Sequence, residues 1–204
     1  MRFSIIASLF ALAASTAVAQ YTNQSAPFEL VLLSQNPTIN GSKLIACHEG
    51  AGIEAACRGG SIATSGPGFS TFQFNTSIYS VPTNESAGVT GYLTYELRGF
   101  NFNESEPMVL SVDPVSNVAL PIFSPSYFAT EVAFDREGLM NIQGYVDDRT
   151  IPISTTMIYV AYYRWFVCST YYSGYRYQAL TWVLGEFPPE NPSCVKVQVK
   201  RVFV

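Results

Sequence analysis

Charge is scarce in this 204-residue chain: Asp, Glu, Lys and Arg together make up 13% of it, about half of the roughly 25% usual for soluble domains. The net charge is −4, so there is no basic field to displace counterions from phosphate, and nucleic acid is not an expected partner. Histidine is nearly absent. His48 stands alone and no C-x-x-C occurs, so the common zinc spacings cannot be assembled. The sequence has no G-x-S-x-G, no P-loop and no dinucleotide fingerprint, and His48-Glu49 runs into Gly-Ala-Gly-Ile instead of a second zinc histidine. A Ser-His-Asp arrangement would have to use His48, which reads better as a turn or structural residue. No catalytic residue, metal ligand or cofactor is therefore assigned. Long apolar runs are also missing beyond the N-terminus. The best, Met157 to Cys168, is 12 residues with Arg164 inside it, too short to span a bilayer.

Apolar and aromatic residues are plentiful, at 48% and 14%, which suits a packed core and excludes a disordered chain. Arg2, the apolar stretch Ile5 to Ala14 and the small-x-small pattern Ala17-Val18-Ala19 have the three parts of a cleaved signal peptide over residues 1–19. The mature chain would then be a single domain, residues 20–204, exported, with no membrane segment after cleavage. Its C-terminal residues Val195 to Arg201 alternate and carry charge, unlike a GPI signal. Four cysteines remain, Cys47, Cys57, Cys168 and Cys194. An even count in an exported chain suggests two disulfides with three possible connectivities, and proximity favours Cys47–Cys57 and Cys168–Cys194. Five sequons, at Asn23, Asn40, Asn75, Asn84 and Asn103, all precede residue 105, and N-glycosylation there would coat one region of the domain.

The mature chain reads as short strands separated by turns, with no helical periodicity and no internal repeat. Phe28 to Ser34 is continuously apolar, like a strand buried on both faces. Lys43 to His48 and Ile53 to Arg58 flank Gly50-Ala51-Gly52 as a hairpin, and Gly59 to Gly68 is a loop. Strands follow over Ser70 to Asn75, Thr90 to Arg98, Met108 to Val112, Asn117 to Phe123, Thr130 to Phe134 and Leu139 to Val146, with a loop over Asp147 to Ser154. Tyr163 to Thr170 and Tyr175 to Leu184 make a hairpin across Tyr172-Ser173-Gly174, and Val195 to Lys200 alternates as a half-buried strand. The expected fold is all-β, a single sandwich or closed barrel, with a trefoil-like arrangement as the alternative.

The densest anomaly is aromatic. Ten of the 24 residues from Tyr159 to Trp182 are aromatic, including both tryptophans of the chain. Flat rings with polar edges suit sugar stacking and interfaces. Trp165, Tyr171, Tyr172, Tyr175, Tyr177 and Trp182 are therefore candidates for a ligand platform. The competing reading is a Tyr-rich hairpin packed into a β core. Fifteen acids could in principle supply a glycosidase pair, but sequence alone does not bring any two together. Asp147-Asp148-Arg149 reads as a solvated loop.

The run Ala46 to Ala51 with Cys57, the stretch Asn141 to Asp148, Arg164-Trp165-Phe166-Val167-Cys168 and Asn191-Pro192-Ser193-Cys194 resemble a family of secreted ascomycete fungal proteins carrying a domain of unknown function. The likeness covers nearly the whole mature chain. More distantly, the layout is similar to phialide-type fungal cell-wall proteins. The family resemblance implies secretion and both short-range disulfides, and it carries no catalytic residue.

These readings converge on a secreted, N-glycosylated, non-catalytic extracellular or cell-wall protein, with cell-wall polysaccharide as the expected partner. A secreted effector that binds another extracellular protein is the alternative, and an unrecognised glycosidase comes third.

Overall fold

Period-two alternation of apolar and polar side chains marks several segments of the chain, and strands are its structural result. A computed structural model describes residues 21–60, 67–82, 84–126 and 128–204. The leader expected over residues 1–19 lies outside the described residues, as does most of the expected Gly59–Gly68 loop. The strands are β1 (Asn23–Gln24), β2 (Phe28–Leu33), β3 (Leu44–Gly50), β4 (Ile53–Arg58), β5 (Phe72–Thr76), β6 (Thr90–Arg98), β7 (Asn103–Ser111), β8 (Val118–Phe123), β9 (Glu131–Phe134), β10 (Met140–Asp147), β11 (Ser154–Tyr162), β12 (Trp165–Tyr172), β13 (Tyr175–Val183), β14 (Val195–Lys196) and β15 (Gln198–Phe203). A single turn of 3-10 helix, Pro67–Phe69, is the only helical element among the described residues. No described helix is long and apolar enough to cross a membrane.

All pairings are antiparallel and form two layers. In the first, β15 pairs with β2 over six residues, β2 meets β5, and β5 pairs with β6. The outer edge of β6 is divided, its beginning held by β9 and its later part by β7. In the second layer, β7 pairs with β8, β8 with β4 and β13, β4 with β3, and β13 with β12. β7 belongs to both. Asn103 to Pro107 pair with β6, whereas Met108 to Ser111 pair with β8. A second crossing falls at Val197, where β14 leaves β12 and β15 joins β2. Strands that switch sheets at corners are a recognised way to fold one sheet over another.

The strand path is open, running from β11 to β14, so the domain is sandwich-like and not a closed barrel. The trefoil alternative falls with the barrel, because a trefoil is built on a closed one. β11 leads away from the layers by pairing with β10, which leaves the path with a free end. Other expectations also change. β2 alternates between buried and half-buried residues and is not buried on both faces. β7 starts at Asn103 and not at Met108, and β11 begins at Ser154, in the expected loop, and runs through residues to which no strand is assigned above.

The interior is aromatic and aliphatic. Phe28, Leu30 and Leu32 from β2 meet Phe72, Leu93, Phe123, Trp165, Leu180 and Val199 in one continuous buried cluster. Two disulfides close the expected short loops, Cys47–Cys57 and Cys168–Cys194. A separate apolar cluster lies around the first of them, built from Ile45, Ala55, Leu120, Ile122 and Ala179.

Candidate functional site

The aromatic hairpin is set by its turn. β12 and β13 pair in register from Trp165–Trp182 to Tyr172–Tyr175, leaving Ser173 and Gly174 as a two-residue loop. Both adopt positive φ, 47° and 100°, as the mirror-image turns of tight hairpins require.

This register sorts the six platform candidates into three groups. Trp165 and Trp182 are buried. Their rings meet edge to face at 4.7 Å, and Trp165 Nε1 donates to the Met140 carbonyl at 2.8 Å. These two candidates are corrected to core residues, because they occupy the inward positions of the hairpin base. Tyr172 and Tyr177 are half-buried and pack on the cluster around the Cys47–Cys57 disulfide. Only Tyr171, 67% exposed, and Tyr175, 37% exposed, present substantial surface. The Tyr175 ring stacks on Tyr177 at 6.2 Å and meets the His48 ring edge to face at 5.2 Å. The Arg176 guanidinium lies 5.6 Å from the Tyr171 ring centre, within cation–π range.

Beside this hairpin runs an open groove of about 660 Å³. Tyr171 and Tyr172 form its aromatic side, and Thr170, Asp113, Ser116 and Asn191 supply polar groups. Several of these are themselves anchored. Asn191 donates to the Ser169 carbonyl at 3.0 Å, and Asp113 accepts from the Val115 amide at 3.0 Å. Preformed polar edges beside aromatic faces are what a small or polymeric polyhydroxylated ligand needs. A larger groove, about 1070 Å³, lies where residues 33–37 approach residues 195–198. It has no aromatic side chain or carboxylate in its lining, and Asn40 is part of that lining.

Sequence reasoning missed three buried acids. Glu49 is fully buried, neither carboxyl oxygen has a hydrogen-bond partner, and burial pushes it up to about 7. Glu54 and Glu106 are also buried. Burial, reinforced by the facing Glu54, pushes Glu106 up to about 9. No local pattern could have revealed this pair, since 52 residues and a layer crossing separate its members. Neither lines the groove. By contrast, Asp147 behaves as the sequence suggests. Arg149 grips both its oxygens, at 2.6 and 2.8 Å, and holds its carboxyl below the usual range.

The sequons also divide. Asn23, Asn40 and Asn103 are exposed, whereas Asn75 and Asn84 are half-buried. The Asn84 side chain organises its own turn, accepting from the Ser86 amide at 3.0 Å and donating to the Tyr159 carbonyl at 3.3 Å. Asn23, Asn75 and Asn103 all sit on strands of the first layer, while the groove is on the second.

Among the described residues no group of three or more His, Cys, Asp or Glu side chains is placed to hold a metal ion. No curated protein matches the chain, and no solved structure does. A family model described as "Domain of unknown function (DUF7907)" matches residues 25–203.

Proposed function

We propose that this chain, which belongs to the DUF7907 family, is an exported, N-glycosylated fungal domain of the cell wall or extracellular space that binds carbohydrate without transforming it. The supporting observation is the groove in which Tyr171 and Tyr172 face anchored polar groups. The ligand surface is narrower than the whole aromatic hairpin and excludes both tryptophans. Glycans on the first layer would leave this groove uncovered. The distant layout similarity to phialide-type wall proteins points the same way. A glycosidase gains little support, because the acids that meet, Glu54 and Glu106, are buried outside the groove.

A protein-binding, effector-type role is the second reading. It draws on exposed apolar side chains at the β10–β11 ribbon, including Val146, Ile151, Ile153 and Val160, since clustered apolar exposure is a mark of interaction surfaces.

Co-sedimentation of the secreted protein with insoluble chitin, β-glucan and mannan tests the first reading. Retention on one polymer, competed by its soluble oligomer, is expected, and Tyr171→Ala should weaken it about tenfold. No retention on any of the three, or full retention by Tyr171→Ala, would overturn it.

A further inference from the structure

Where β7 leaves the first layer for the second, Glu106 is the last inward side chain on the first-layer side. It pairs across the strand with Tyr95, and two residues later Met108 pairs with Phe123 of β8. Phe123 is also the partner of Glu54 on β4. The two carboxyl groups therefore meet inside the corner that joins the layers. Both are buried, and Glu54 Oε2 and both Glu106 oxygens have no hydrogen-bond partner.

Among the described residues no ion pair reaches either of them. β6 contributes the buried Tyr95 phenol, pushed up to about 12 by burial and then by Glu54 and Glu106. It also carries Glu96 and Arg98, which bind each other at 2.7 Å. β7 adds Glu104, a further negative charge acting on Glu106. β3 places His48 opposite Glu54, but that side chain is exposed and turned to Tyr175. β8 supplies Phe123, and the β3–β4 turn brings Gly52 against Glu106 Oε1.

We propose that Glu54 and Glu106 form an acid-closed latch, in which a shared proton ties β4 to β7 across the layer corner and loss of that proton in alkaline surroundings loosens the corner. A carboxylate that is buried and faces a second one cannot ionise cheaply, so Glu106 keeps its proton well above the range of a free Glu. An unfolded Glu ionises near 4.3. Between that pH and the raised folded value the unfolded state binds fewer protons, so stability falls as pH rises. The unfolding constant increases by up to about tenfold per pH unit over that window. The latch is independent of the carbohydrate reading.

The test is the unfolding constant of the secreted protein from pH 5 to 9, measured by urea titration for wild type, Glu106→Gln and Glu54→Gln. Wild type should lose stability steadily, and either variant should flatten the profile above pH 7. Infrared spectra at pH 7 should show a protonated carboxyl band in wild type that weakens in both variants. If neither variant folds, hydrogen exchange on wild type decides. Amides of β4 and of Glu104 to Met108 should lose protection with rising pH before those of β2. Parallel pH profiles in all three proteins, an unchanged carboxyl band, or uniform loss of protection would overturn the latch.

Discussion

Replacing Trp165 by Phe should destabilise the domain by about 2–3 kcal/mol while leaving its surface unchanged. Trp165 is fully buried and gives its indole N–H to the Met140 carbonyl at 2.8 Å. Phe cannot donate, which costs about 0.5–1.5 kcal/mol. It also leaves unfilled the space of the second ring against Trp182, whose ring centre is 4.7 Å away. Loss of that packing adds about 1.5 kcal/mol by comparison with other core truncations. For a domain of this size each kcal/mol moves Tm by roughly 2–4 °C, so a fall of about 4–12 °C is expected in a calorimetric scan. Trp165→Ala should cost about 4–6 kcal/mol, close to the whole stability of a marginal domain. Tyr171→Ala, at an exposed position, should stay within about 0.5 kcal/mol of wild type. A Tm for Trp165→Phe equal to that of wild type would refute the core assignment. Loss of polysaccharide retention at unchanged Tm would return the indole to the binding surface.

Two further outcomes are expected. Burial raises Glu49 to about 7, so the stability its protonated form provides is complete below the unfolded Glu range and is lost as pH rises through 7. Glu49→Gln should therefore gain on wild type by up to about 3 kcal/mol between pH 5 and 8, and an equal difference at both pH values in urea titrations would contradict this. Glycopeptide mapping of secreted protein should find sugar on the exposed Asn23, Asn40 and Asn103 and none on Asn84, whose amide is held by the Tyr159 carbonyl. Occupied Asn84 with bare Asn103 would reverse that ordering.

Local features were legible where one short segment carries its own cause. Ile53–Arg58 and Thr90–Arg98 appear as strands with the expected boundaries, the first legible from the glycine reversal before it and the second from its alternation. The favoured cysteine pairs are those that form, since short loops close at the lowest entropic cost. The start of β7 is not legible, because Glu104, Glu106 and Pro107 look unlike a strand interior. They are tolerated there because the strand is turning from one layer into the other, and Glu106 is buried in that turn. The C-terminal alternation was legible as a strand, but its division at Val197 follows from two different partners, β12 and β2, which local sequence does not specify. The platform was half legible. Aromatic density marked the hairpin, but which rings face outward depends on β3, β4 and β8, whose apolar cluster takes Tyr172 and Tyr177.

The pairing of β2 with β15 bears on how the chain is made. Phe28 waits for Phe203, and Leu33 for Gln198, so a growing chain carries an apolar strand with one side unpaired until residues 198–203 have been made. Contacts of such span form slowly, and an open strand edge invites wrong partners in the meantime. Released chains that end at successive residues through 198–203 should acquire protease resistance in one step and not in proportion to length. Fusions that hold the last strand in the ribosomal tunnel should stay sensitive. Residues 198–203 thereby decide when that edge closes, and products truncated before them would keep it open.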